Sequence, residues 1–169
     1  PPRAVLDQRQ VAHERRETEA DDPRIETHAD AAECLGADFL DQHGADTYVV
    51  PILLSVPSRE QLHQLVAAFQ GVIDRHDILR TAVLWEELPR AVQVVYRRAS
   101  LPVEEMTLEG TEDVTAQLQR WMRQDCQRMD LRQAPLLRLR IAADPRTPEH
   151  YVIIQTHHMT LDHLALEAV

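Results

Sequence analysis

The sequence contains few aromatic residues and few glycines. Aromatic side chains make up 4% of the 169 residues, and there are four glycines. Aromatic side chains supply the stacking platforms that bind single-stranded nucleic acid, and glycine-rich loops cradle phosphate groups. The scarcity of both residue types argues against these two kinds of binding site.

Basic residues and cysteines are also in short supply. Lys and Arg total 18 against 28 acidic residues, which gives a net charge of −10. A polyanion such as DNA is therefore not expected as a partner, and we interpret the acidity as a source of solubility. The two cysteines, Cys34 and Cys126, do not have the spacing of metal ligands, and we expect them to be buried thiols.

The sequence also lacks long hydrophobic runs. No charged start followed by an apolar run marks a secretory signal, and no window approaches the length that a bilayer span requires. We therefore expect a cytoplasmic protein without a membrane partner. The length and the apolar fraction of 44% predict one domain with a hydrophobic core.

Composition divides the chain into two parts. Residues 1–26 carry many charges and few large apolar side chains, so we interpret them as a linker or disordered segment. Residues 27–169 form the predicted domain. Residues 164–169 are predicted to start an apolar helix without a C-cap, and we therefore expect this domain to be truncated at its C-terminus.

The periodicity of apolar residues predicts an α/β or α+β sandwich with a mixed sheet flanked by helices. One helix is predicted between Thr27 and Gly44, one after Ser58 and one after Thr111, the last with Trp121, Met122 and Met129 in its apolar stripe. Strands are predicted at residues 47–56, 79–85, 91–97, 137–141 and 151–156.

Three strand features predict how the sheet is arranged. Pro51 cannot donate to a β-ladder, so the first strand should lie at an edge or carry a bulge. Residues 151–156 are more uniformly apolar and should form a central strand. Arg138 and Arg140 alternate with apolar residues, which predicts that one face of their strand is hydrated or paired.

A cluster of polar residues follows the last predicted strand and includes His157, His158, Asp162 and His163. Histidine is the side chain best suited to move protons near neutral pH, and a strand end holds such a group rigidly. Two adjacent histidines leaving a strand point to opposite sides, so only one of them naturally faces a given cleft. Asp162 lies within reach of His158 if the segment turns into a helix.

Three interpretations of this cluster compete. In the first, these polar side chains form hydrogen bonds in a strand-to-helix turn and have no catalytic role. A metal site would be similar to the His-x-His-x-Asp-His signature of metallo-β-lactamase-type hydrolases, but here the first two histidines are adjacent and cannot readily converge on one ion. We therefore expect no metal. The third interpretation rests on a resemblance.

Three segments resemble motifs of the condensation domains of nonribosomal peptide synthetases. His157–His163 resembles the His-His-x-x-x-Asp-Gly motif, Arg75–Thr81 resembles Arg-His-x-x-Leu-Arg-Thr, and Pro135–Arg138 resembles the Pro-Leu-hydrophobic-Arg start of a strand. The order of the three segments and their separations also agree. The resemblance covers about residues 30 to 169.

The resemblance implies the N-terminal lobe of a chloramphenicol acetyltransferase-like fold, in which the active site lies between two lobes. The missing C-terminal lobe and peptidyl or acyl carrier protein domains are then the partners. The implied reaction is amide formation, in which an amine on one carrier protein attacks a thioester on another. The 4′-phosphopantetheine arms belong to the carrier proteins, so no cofactor is expected to bind this chain directly.

The resemblance also implies roles for individual residues. His158 would act as general base or stabilise the tetrahedral intermediate, and His157 would support it. Asp162 would be structural and paired to an arginine, for which Arg80 or Arg75 is the available candidate.

The sequence departs from the family pattern in two places. His163 replaces the final glycine of the motif, and Ala32–Leu35 stands where the family has a Ser-Pro-x-Gln-rich segment. Two alternatives to a condensation domain stay open. Many acyltransferases that depend on coenzyme A share the His-x-x-x-Asp core, so the chain could be a lobe of such an enzyme, whereas the two departures favour a non-catalytic docking remnant of a synthetase.

The non-metal interpretation predicts that Zn²⁺ neither binds the chain one-to-one with submicromolar affinity nor raises its melting temperature, because His157, His158 and His163 are not ligands. Calorimetric titration and thermal melts check this expectation. Tight stoichiometric binding that disappears in His158→Ala would instead support the hydrolase interpretation.

Overall fold

The computed structural model describes residues 48–89, 91–123 and 128–160. In chain order the elements are strand β1 (Val49–Val56), helix α1 (Arg59–Arg75), a 3₁₀ turn (Asp77–Arg80), strands β2 (Thr81–Leu84), β3 (Val92–Val95) and β4 (Val103–Glu105), helix α2 (Val114–Trp121), and strands β5 (Leu137–Ala143) and β6 (His150–His157). The helix predicted between Thr27 and Gly44 lies outside the described residues.

The larger sheet has the strand order β1-β6-β5-β4 within the described part of the chain. β6 pairs antiparallel with β1 and with β5, whereas β4 pairs parallel with β5, so the sheet is mixed as predicted. The edge position of β1 confirms the expectation drawn from Pro51, and the apolar strand β6 occupies a central position as expected.

β2 and β3 form a separate antiparallel hairpin instead of joining the larger sheet. The strand predicted at residues 79–85 begins only at Thr81, because Asp77–Arg80 turn into a 3₁₀ helix before it. β4 was not predicted: it has three residues, all exposed, and therefore carries no alternation of apolar and polar side chains.

Helix α2 differs from the prediction at both ends. Asp113 rather than Thr111 is its N-cap, with the Asp113 carboxylate accepting the Ala116 N–H at 2.8 Å. Asp is at least as favourable as Thr at the N-cap, so the helix begins two residues later than predicted. The helix ends at Trp121, and Met129 therefore does not share its apolar face.

The two helices pack on opposite faces of the larger sheet. α1 begins at Ser58, whose hydroxyl accepts the Gln61 N–H at 3.3 Å, as the sequence predicts. The first core joins α1 to one face of the sheet through Leu62, Ile73, Leu137, Leu139, Val152 and Ile154. The second core joins α2 to the other face through Val114, Leu118, Ala142 and Ile153. The predicted sandwich is confirmed.

Arg80 connects the end of α1 to strand β3. Its guanidinium donates from Nη1 to the carbonyl oxygens of Ile73 and Asp74, each at 2.7 Å, and from Nε to the carbonyl oxygen of Tyr96 at 3.0 Å. Nη2 pairs with the Asp77 carboxylate. These contacts satisfy carbonyl groups that a helix terminus leaves without intrahelical partners.

Arg80→Lys should therefore lower the free energy of unfolding by about 2–3 kcal/mol, because a lysine keeps the charge but not the planar set of donors. Arg75→Lys is the matched control on the exposed last turn of α1, and it should change stability by less than about 0.5 kcal/mol. Urea denaturation measures both values. Equal effects of the two substitutions would contradict the assignment of Arg80 as a structural link.

Candidate active site

The candidate site lies at the C-terminal end of β6, where the chain turns through residues 158–160. The main chain there is held from both neighbouring strands. The His157 N–H donates to the carbonyl oxygen of Leu136, beside β5, at 3.0 Å, and the His158 N–H donates to the carbonyl oxygen of Tyr48, beside β1, at 2.9 Å. The backbone of both histidines is therefore fixed.

His157 is enclosed, with 1% of its surface exposed. Its Nδ1 accepts the Met159 N–H at 3.1 Å, and its carbonyl oxygen accepts both the N–H of Thr160 at 3.0 Å and the Thr160 hydroxyl at 3.1 Å. The ring of Tyr48 lies at 6.1 Å from the His157 ring, between centroids and at a tilt of 34°. The His157 side chain thus holds the turn that follows it.

The bond from Met159 also determines the tautomer of His157. A ring nitrogen that accepts an N–H cannot itself carry a proton, so a neutral His157 has its proton on Nε2. A doubly protonated ring would place two donors against each other at Nδ1. The supporting role of His157 in catalysis stays a prediction.

His158 differs from its neighbour in exposure. It is partly buried, whereas His157 is almost fully buried, so His158 presents more surface at the end of the strand. Of the two adjacent histidines, His158 is therefore the one better placed to meet a substrate. A fixed backbone and a partly exposed imidazole suit a group that transfers protons.

The turn rests on a small apolar cluster. Met159 packs against Val83, Leu131 and Leu136, and the Val83 N–H donates to the carbonyl oxygen of Leu131 at 2.7 Å. The hairpin of β2 and β3 is thereby joined to the turn that carries His158. The sequence did not indicate this contact, because nothing in the periodicity shows which cluster a residue outside an element will join.

The remaining predicted site residues do not meet at this turn within the described residues. The Arg80 guanidinium is occupied by Asp77 and by carbonyl groups, and Arg75 is exposed at the end of α1. Asp162 and His163 lie outside the residues that the structure describes. The pairing of Asp162 with an arginine stays a prediction.

The paired face predicted for β5 is present. Arg140 donates from Nε to the Glu104 carboxylate at 2.8 Å, and Arg138 donates from Nε to Oε1 of Gln155 at 2.6 Å. Neither Glu104 nor Gln155 was predicted as a partner of these arginines. Gln155 is the polar residue within the apolar run of β6 and could have been identified on that ground, whereas Glu104 belongs to the unpredicted strand β4.

The described residues contain neither a metal-binding cluster nor a helix that could span a membrane. No group of three or more His, Cys, Asp and Glu side chains in the ranges 48–89, 91–123 and 128–160 is arranged to hold a metal ion. Among the helices in those same ranges, none is long and apolar enough to cross a membrane.

Known proteins resemble this chain both in sequence and in fold. A model of the condensation domain family matches residues 39–169. Malpinin synthetase of Mortierella alpina is 44% identical over 126 residues, which are 73% of this chain and 2% of that protein. The starter condensation domain of rhizomide synthetase has a TM-score of 0.62 at 21% identity, over 82% of this chain and 34% of that one.

A further structural match is holo-AB3403, a four-domain nonribosomal peptide synthetase, with a TM-score of 0.67 at 17% identity over 89% of this chain and 11% of that one. The fold is thus one lobe of the chloramphenicol acetyltransferase-like class, with its histidine turn at the end of a central strand. The chain belongs to the condensation domain family, whose members form peptide bonds by acyl transfer. It spans about 2% of the length of malpinin synthetase and of malpibaldin synthetase, both of Mortierella alpina.

Replacement of His157 tests its role in holding the turn. His157→Leu removes the acceptor of the Met159 N–H and should lower the free energy of unfolding by about 1–3 kcal/mol. His157→Asn should cost less despite its smaller volume, because its Oδ1 lies near the position of Nδ1 and can accept the same N–H. Urea denaturation of both variants measures the difference. A leucine variant at least as stable as the asparagine variant would show that this bond contributes nothing.

Proposed function

We propose that this chain is the N-terminal lobe of a domain that forms amide bonds between aminoacyl or peptidyl groups carried as thioesters. The observation that carries the proposal is the position of His158, partly buried on a turn whose main chain is held by both strands beside β6. Membership of the condensation family supports the reaction class. The second lobe would close the site from the other side.

In the proposed reaction, the amine of the acceptor attacks the carbonyl carbon of the donor thioester. A C–N bond forms, the C–S bond breaks, and the thiol of the donor carrier arm is released. His158 accepts the proton that the attacking amine loses, or stabilises the charged tetrahedral intermediate. His157 holds the turn, and its own Nδ1 is already occupied by the Met159 N–H.

The substrates would arrive on 4′-phosphopantetheine arms of peptidyl or acyl carrier protein domains. The group is therefore brought by the partners and is not resident in this chain. No described residue is assigned to bind it. The cytoplasm is the proposed location of the reaction.

Asp162 takes a structural role in this proposal. A buried carboxylate requires a counter-ion, and the contacts of Arg80 with Asp77 and three carbonyl groups already occupy most of its donors. Because Arg75 is exposed, an arginine of the second lobe then becomes the better candidate for the partner of Asp162. This refines the expectation drawn from the motif.

One sequence feature favours a second candidate function, a non-catalytic docking module. His163 occupies the position where the family has glycine, and a side chain there narrows or redirects the passage for a carrier arm. Restored or increased turnover in His163→Gly, measured in the complete domain, would show that this position limits catalysis. Inactivity of both forms with intact folding would favour the docking module.

The roles of His158 and Asp162 are tested in the complete synthetase domain that contains this chain. His158→Ala should leave the melting temperature nearly unchanged and slow single-turnover amide formation by about 10²–10⁴-fold. Asp162→Ala should instead lower the free energy of unfolding by about 3–5 kcal/mol, because it leaves a buried arginine without its counter-ion.

The isolated chain is the negative control and should not form amides, because its site needs two lobes. A stable Asp162→Ala together with an unfolded His158→Ala would reverse the two roles. Stable and active variants at both positions would show that the motif has no catalytic function here.

A further inference from the structure

Arg138 is a partly buried cation that lacks an ionic partner in the described chain. Its one hydrogen bond is from Nε to the neutral amide oxygen of Gln155, at 2.6 Å. No carboxylate in residues 48–89, 91–123 and 128–160 forms a salt bridge with it. The two terminal nitrogens of its guanidinium therefore still have donors to offer.

Arg140 provides an internal comparison. It lies two residues further along β5, on the same face of the sheet, and its Nε donates to the Glu104 carboxylate at 2.8 Å. The same strand thus carries one arginine with a counter-ion and one without. The difference does not arise from the strand or from the residue type.

Gln155 carries a second unsatisfied donor at the same place. The residue is fully buried, and its Nε2 has no hydrogen-bond partner. Exchanging the positions of Oε1 and Nε2 would not give Nε2 a partner. An arginine side chain has only donors, so the acceptor Oε1 must face it. Nε2 is enclosed by this chain, so Gln155 contributes through Oε1, which orients the guanidinium of Arg138.

An unpaired buried charge and an unsatisfied buried donor both destabilise a folded chain. Burial lowers the pKa of Arg138, the positive charge of Arg140 lowers it further, and the attraction of Glu104 does not compensate. An acceptor with negative charge would remove the first of these defects. A carboxylate fits best, since its two oxygens can accept from the terminal nitrogens of a guanidinium.

We infer that Arg138, oriented by Gln155, is the binding site for an Asp or Glu side chain of the second lobe of the domain. The inference rests on the proposed two-lobe domain, of which this chain corresponds to 34% in the rhizomide starter domain. Gln155 lies on the same face of β6 as His157, two residues before it. A carboxylate bound here therefore fixes the second lobe next to the turn that carries His158.

The test compares one double variant, Arg138→Met with Gln155→Met, in two proteins: the 169-residue chain and the complete domain. In the chain alone the double variant should melt at the same temperature as the parent or a few degrees higher, because apolar residues of similar volume replace an incomplete polar pair. In the complete domain it should melt lower by about 4 °C or more, because a completed ion pair is lost. The sign of the change should thus differ between the two proteins.

Arg140→Met is the matched control. Its partner Glu104 is within the chain, so its effect on the melting temperature should have the same sign and size in both proteins. If the double variant also behaves alike in both, the site is complete within this chain and the inference is wrong.

Phosphate, added at constant ionic strength, tests for a mobile anion. A melting temperature of the parent chain that rises with phosphate, and does not rise in the double variant, would assign the site to a free anion and overturn the second-lobe carboxylate. These readouts are thermal and do not use amide formation. If the complete domain is inactive, the proposed function is contradicted. The melting temperatures of the double variant still test the inference on Arg138.

Discussion

The pairing of β6 with a strand on each side determines the geometry of the whole candidate site. β1 and β5 both run antiparallel to it, and their hydrogen bonds continue to the last residue of the strand and one beyond. A strand paired on one side only would leave its end free to fray. Because β6 is central, His157 and His158 start from a backbone that cannot shift without breaking two ladders.

The polar residues of β6 are buried in an apolar sheet, and each must find a partner nearby. His157 does so within its own turn, whereas Gln155 is satisfied at its oxygen and not at its nitrogen. Thr156, between them on the opposite face, also has a hydroxyl without a partner. This end of the strand is thus less completely satisfied than an apolar core, which is common where a site awaits a ligand or a partner.

The sequence predicted the elements with clear periodicity and failed where the signal was local or absent. Three features allow only one physical interpretation each: the apolar run of β6, the proline of β1 and the cap of α1. Each of these predictions is confirmed. β4 is short and exposed, so only its pairing with β5 defines it as a strand. The position of Met159 against the β2–β3 hairpin depends on tertiary packing that no short window contains. For the site, the motif identified the turn. The contacts that anchor His157 and the lack of an ionic partner for Arg138 could not be predicted, because both depend on the register between strands.

The contact between His158 and Tyr48 joins two main-chain groups. Only proline at position 158 removes it among the natural side-chain replacements, so an alanine scan of this region would not detect the bond that holds the backbone of His158. The site should be sensitive to a one-residue insertion or deletion in β1, which would shift every partner along β6. Replacing the peptide link at His158 by an ester, which has no N–H, is the substitution that would isolate the contribution of this one bond.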